Sequence, residues 1–70
     1  MNKNELRAEM ARYGDTNDSL STYLGISPAA FSKKINAERD FTQTEIQKIK
    51  QRYSLSAESV IKIFFAFEVA

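Results

Sequence analysis

The chain contains neither cysteine nor histidine. Their absence removes disulfides, structural zinc and the commonest general base, leaving carboxylates, lysine, tyrosine and hydroxyls for any chemistry. No paired carboxylates, nucleophile with its base or glycine-rich phosphate loop stands out, so the expectation is no enzyme, no cofactor, no metal and no small-molecule substrate. One proline and two glycines are all that interrupt 70 residues, and no repeat or low-complexity stretch occurs. The chain therefore reads as a single domain over residues 1–70 without linkers. No apolar run nears the roughly 20 residues of a membrane span. Met1 to Glu5 leads into charged sequence without the apolar core of a secretion signal, so the expected setting is the cytoplasm, with no membrane partner.

A large charge of one sign is missing as well, the formal net charge being +1. Its distribution is uneven. Residues 1–26 carry three basic and four acidic groups, residues 27–53 six and three, and residues 54–70 one and two. A polyanion would be drawn to the middle segment, to Lys33, Lys34, Arg39, Lys48, Lys50 and Arg52. On charge alone these side chains are equally well explained as solvated helix faces.

What is present is a series of helix signals. Leu6, Met10 and Tyr13 recur at i, i+4 and i+7 in a first helix over about Lys3–Tyr13, stopped by Gly14. Thr16 caps a second helix, with Asn17 and Asp18 in its first turn and Leu20 and Leu24 on its buried stripe. Gly25 ends it, and Ile26 plugs the turn. Ser27 then caps a third helix with Pro28 at its first position, where no amide hydrogen is needed, and Phe31 and Ile35 facing inward. Thr42 and Glu45 form a capping box with Phe41 as its staple, opening a fourth helix with Ile46, Ile49 and Tyr53 inward. Ser56 caps a last helix carrying Val60, Ile61, Phe64 and Phe65. The stretch from Val60 to Phe67 is β-branched and aromatic enough to be ambiguous, but no alternating run of convincing length competes. The expected fold is all-α with five helices. Phe31, Ile35, Ile46, Ile49 and Val60 are expected in the core, and Tyr13, Tyr23 and Tyr53 half-buried with their hydroxyls in water.

Two short helices joined through Gly25-Ile26-Ser27 leave a turn too tight for antiparallel packing, so the second helix should project from the domain and fit a major groove. A small side chain at Ser21 lets the two helices touch. Phe64, Phe65 and Phe67 are hard to bury together in so small a domain, and an exposed aromatic patch of that kind points to a homodimer through the last helix.

Leu20-x-x-x-Leu24-Gly25-Ile26-Ser27, then Phe31-Ser32-Lys33-Lys34-Ile35-Asn36, a short basic loop, and Phe41-Thr42-x-x-Glu45-Ile46 resemble the lambda-repressor-like helix-turn-helix family of phage repressors and Cro proteins. The likeness is to its Gram-positive phage regulator branch. The resemblance covers nearly the whole chain and implies a small transcription regulator that binds double-stranded DNA at a palindromic operator. It also implies base contacts from Ser27, Pro28, Ala29, Ser32 and Lys33, and phosphate contacts from Asn17, Lys34, Asn36 and Arg39. The chemistry of these side chains is compatible with those roles. Two departures stand out. Pro28-Ala29-Ala30 replaces longer polar side chains, and Ala37 replaces a glycine common after Asn36. The first leaves specificity to few contacts plus DNA shape. It also motivates an alternative, an antirepressor or other protein-interaction module that uses the same fold without specific DNA readout.

Overall fold

The computed structural model describes residues 1–65. Those residues form five helices in chain order: α1 Lys3–Arg12, α2 Asn17–Leu24, α3 Pro28–Ile35, α4 Gln43–Arg52 and α5 Ala57–Phe64. The all-α expectation holds, and α2 and α3 pack against each other. No helix among the described residues is long and apolar enough to cross a membrane.

Each helix starts where a side-chain oxygen can take an orphan amide. Thr16, Ser27, Thr42 and Ser56 occupy the caps expected of them, and Asn2 caps α1 by accepting from the Glu5 amide. The Thr42–Glu45 box is complete: the Thr42 hydroxyl accepts from the Glu45 amide at 3.1 Å, and Glu45 Oε1 accepts from the Thr42 amide at 2.9 Å. A second box, in which Ser19 is the reciprocal partner of Thr16, had no glutamate or glutamine to announce it.

The helix ends share one device. After each of α1 to α4 an amide reaches back to a carbonyl five residues earlier: Asp15 to Met10, Ile26 to Ser21, Glu38 to Lys33 and Leu55 to Lys50. Closing that loop requires a left-handed residue just before the donor. Gly14 and Gly25 supply it in two cases, at φ +72° and +75°. With no further glycine in the chain, Ala37 (φ +62°) and Ser54 (φ +50°) fill the other two. An L-residue held there costs about 1–2 kcal/mol. The alanine that stands in place of a glycine after Asn36 thus leaves α3 with a strained C-terminus.

The core draws on every helix. Leu6 and Met10 from α1, Leu20 and Leu24 from α2, Phe31 and Ile35 from α3, Ile46 and Ile49 from α4 and Ile63 from α5 are buried with Phe41, Tyr53 and Leu55. Val60 and Phe64 pack against this cluster from the side, as does Ile26 in the turn. The inward face of α5 is therefore Val60, Ile63 and Phe64, whereas Ile61 is 58% exposed. The Asn2 backbone N–H donates a hydrogen bond to the Ile63 carbonyl at 2.7 Å and ties α5 to the start of the chain.

Candidate nucleic-acid interface

The α2–α3 unit is built as the sequence predicts. Gly25 turns the chain, Ile26 is half-buried against the core, and the Ser27 hydroxyl accepts from the Ala30 amide at 3.1 Å. Pro28 takes the first helical position. Ser21 is wholly buried, and its hydroxyl donates to the Asp18 carbonyl at 2.9 Å, so its polarity is satisfied within α2.

Because Phe31 and Ile35 point into the core, Ala29, Ser32, Lys33 and Asn36, at i, i+3, i+4 and i+7, lie on the outward side of α3 and at its end. Ser27, Pro28, Ala29, Lys33 and Asn36 are exposed, and Ser32 and Ala30 are half-buried. The face is short of polar groups at its N-terminal end, where Pro28 and Ala29 offer only carbon. Its hydrogen-bonding capacity lies in the Lys33 ammonium, the Asn36 amide and the hydroxyls of Ser27 and Ser32. The Ser27 oxygen already serves the cap and keeps its O–H free to donate.

One expected phosphate contact is withdrawn. Lys34 turns inward and donates from Nζ to both carboxylate oxygens of Glu45, at 2.6 and 2.7 Å, with side chains only 12% and 9% exposed. Burial alone would raise the Glu45 carboxyl, but the Lys34 ammonium and the Thr42 amide outweigh it and hold it below the usual carboxylate range. Arg52 is also lost to the basic surface. Its guanidinium grips Asp15 through Nε and Nη2 at 2.7 and 2.8 Å and lies 4.5 Å over the Tyr23 ring. Lys33, Arg39, Lys48 and Lys50 remain of the six middle-segment cations, and they make no ion pair among the described residues.

The start of α2 adds a cation that the sequence did not single out. Asn17, half-buried, lines an open hollow of about 180 Å³ together with Arg7, Met10, Ala11, Asp15 and Thr16. Arg7 is exposed and makes no ion pair among the described residues. It stands beside the helix end whose free amides favour an anion. Only three-dimensional proximity between α1 and α2 reveals it, since the two residues are ten apart in the chain.

Asp15, in the same hollow, is already neutralised. Besides Arg52 it accepts from the Tyr53 hydroxyl at 2.6 Å and the Ser19 hydroxyl at 2.8 Å. The Arg52 bond, opposed by burial and helped by Tyr53 and Ser19, holds the Asp15 carboxyl well below its ordinary range. Burial, with the Asp15 bond added, pushes the Tyr53 phenol well above its own. The Tyr13 hydroxyl donates to the Tyr53 carbonyl at 2.9 Å, and the two rings stack at 5.0 Å. The expectation of tyrosine hydroxyls in water is therefore corrected for Tyr13 and Tyr53: both serve a lock between the α1–α2 turn and the end of α4.

At the end of α5 the aromatic residues divide. Phe64 is half-buried, its ring edge-on to Phe41 at 5.6 Å, so its first role is packing. Phe65 is 46% exposed. Phe67 lies outside the described residues. Between Phe64, Phe65 and the α3–α4 loop runs a groove of about 380 Å³, floored by Phe41, Ile46 and Phe64 and rimmed by Arg39 and Asp40.

No family model matches the chain, nor does a curated protein or a solved structure.

Proposed function

We propose that this protein is a small transcription regulator that binds double-stranded DNA through α3, as the lambda-repressor-like proteins it resembles do. The observation that carries the reading is the division of α3. Its Phe31–Ile35 side anchors it in the core, while the stripe through Ala29, Ser32, Lys33 and Asn36 is turned outward beside exposed Arg39, which makes no ion pair among the described residues. A helix of 8 residues with such a face fits a major groove. In this reading Lys33 and the hydroxyls of Ser27 and Ser32 meet base edges, the Ala29 and Pro28 carbons meet thymine methyls, and Asn36 and Arg39 hold phosphates. Asn17 with Arg7 holds another at the start of α2. Two copies, joined through the exposed side of α5 around Ile61 and Phe65, place their third helices about 34 Å apart on a palindromic site. The protein acts in the cytoplasm and is no enzyme.

Selection of bound duplexes from a random pool at two salt concentrations tests the proposal. A motif enriched at both, with half-sites one helical turn apart, is expected. Pools that stay random while binding vanishes with salt would defeat it. The groove beneath Arg39, floored by Phe41, Ile46 and Phe64, and the bare Pro28-Ala29 opening favour a second reading, a module that engages another protein. Selection without a motif, combined with stoichiometric capture of one protein partner that Phe65→Ser abolishes, would install it.

A further inference from the structure

The ion pair between Lys34 and Glu45 stands apart from the other charge pairs of the molecule. Arg12–Glu9 and Lys62–Glu5 are open to solvent on at least one side and the Arg52 side chain of the Asp15 pair is 32% exposed, whereas both members of the Lys34–Glu45 pair, at 12% and 9%, are nearly closed off from it. A buried pair is weak evidence for stability, because desolvation consumes most of its attraction and an apolar pair of the same volume does as well. Its distinctive property is geometric. Lys34 sits in the last turn of α3, and Glu45 in the first turn of α4. Glu45 is doubly fixed, since it also accepts from the Thr42 amide. The pair thus closes the segment 35–44, which contains the strained Ala37 and the exposed Asn36 and Arg39.

We propose that Lys34 and Glu45 are positioning residues: their ion pair sets the angle at which α3, and the loop carrying Asn36 and Arg39, is presented to the duplex. The use of that angle rests on the DNA-binding reading; the clamp itself does not. Lys34 acts through Glu45 and touches no phosphate. Both residues influence discrimination between sites rather than bulk attraction.

Glu45→Gln separates this role from a direct contact. The glutamine keeps the capping bond to Thr42 and removes the charge that holds Lys34. Freed, the lysine swings to solvent beside the loop. For the full chain, binding to a random duplex should strengthen, with its log–log salt dependence steeper by about 0.9, one added phosphate. Preference for the selected site should fall about tenfold, the equivalent of one base contact. Lys34→Arg alone, which keeps a cation on the Glu45 carboxylate, should keep the preference. Lys34→Met/Glu45→Gln should lose it with the salt dependence unchanged. A direct phosphate contact by Lys34 would instead make Glu45→Gln silent and flatten the salt dependence of the double variant, and that result overturns the proposal.

Residual dipolar couplings of free wild type and Glu45→Gln give an arm without DNA. A reorientation of the α3 amides relative to α4 supports the clamp even if no duplex is ever bound, which would sink only the functional reading. Unchanged orientation in a folded variant refutes it.

Discussion

Replacing Ala37 with glycine should stabilise the protein, although glycine usually weakens a helix or its neighbourhood. At φ +62° the alanine Cβ sits in the left-handed region, at a cost of about 1–2 kcal/mol. Glycine removes that strain but makes the unfolded chain more flexible, which returns about 0.5–1 kcal/mol. The net gain is about 0.5–1 kcal/mol, equivalent to a rise in Tm of roughly 3–6 °C for a domain of this size. The bonds that close the helix end, Ala37 amide to the Lys34 carbonyl and Glu38 amide to the Lys33 carbonyl, use only backbone and survive the change. Gly25→Ala runs the same experiment backwards. Its φ is +75°, and a Cβ there meets nothing within 4 Å, so the loss is purely torsional and should mirror the Ala37→Gly gain. Thermal and urea unfolding followed by circular dichroism measure both, with an unchanged urea m-value showing that only stability moved. Should Ala37→Gly lower Tm, the left-handed ending of α3 would be refuted.

Four more outcomes are expected. Asp15→Asn should cost about 2 kcal/mol, because it takes the charge from a bidentate arginine bond and a buried tyrosine bond; chemical denaturation at pH 7 checks it. Since the Asp15 and Glu45 carboxyls are held below their unfolded values, the unfolded chain binds protons first on acidification. The stability they add is therefore complete above about pH 5, starts to decline as pH drops through the unfolded carboxylate range near 4, and is lost progressively below it as the folded-state carboxyls protonate; Asp15→Asn should flatten that acid limb in a pH series of melts. Phe64→Ala should lower stability by about 2 kcal/mol while Phe65→Ala leaves it within about 0.5 kcal/mol, yet only the latter should shift sedimentation equilibrium toward the monomer. Arg7→Ala should weaken duplex binding evenly across sequences and reduce the salt slope by about 0.9, read by fluorescence anisotropy.

The sequence disclosed the local part of this structure well, because caps and stops act within four residues. Thr16, Ser27, Thr42 and Ser56 open helices as their side chains demand, and Gly14 and Gly25 close them. The equivalent ends at Ala37 and Ser54 stayed hidden, since nothing about alanine or serine advertises a positive φ. In α5 five of the six residues from Val60 to Phe65 are apolar, so periodicity could not tell the buried Ile63 from the exposed Ile61. Charge was the least legible feature. Lys34 and Arg52 counted toward a basic segment, but their carboxylates lie 11 and 37 residues away in the chain, and only the fold brings each pair together. The same limit concealed Arg7 beside Asn17.

The central claim, that the outward side of α3 is a DNA-reading surface, is most directly tested by titrating a mixed-sequence duplex at low salt into isotopically labelled full chain. Amide shifts should concentrate at residues 27–39 and at the start of α2, with α5 little changed. Shifts confined to α5 and the groove under Arg39, or none at duplex concentrations where the free cations should bind, would contradict it.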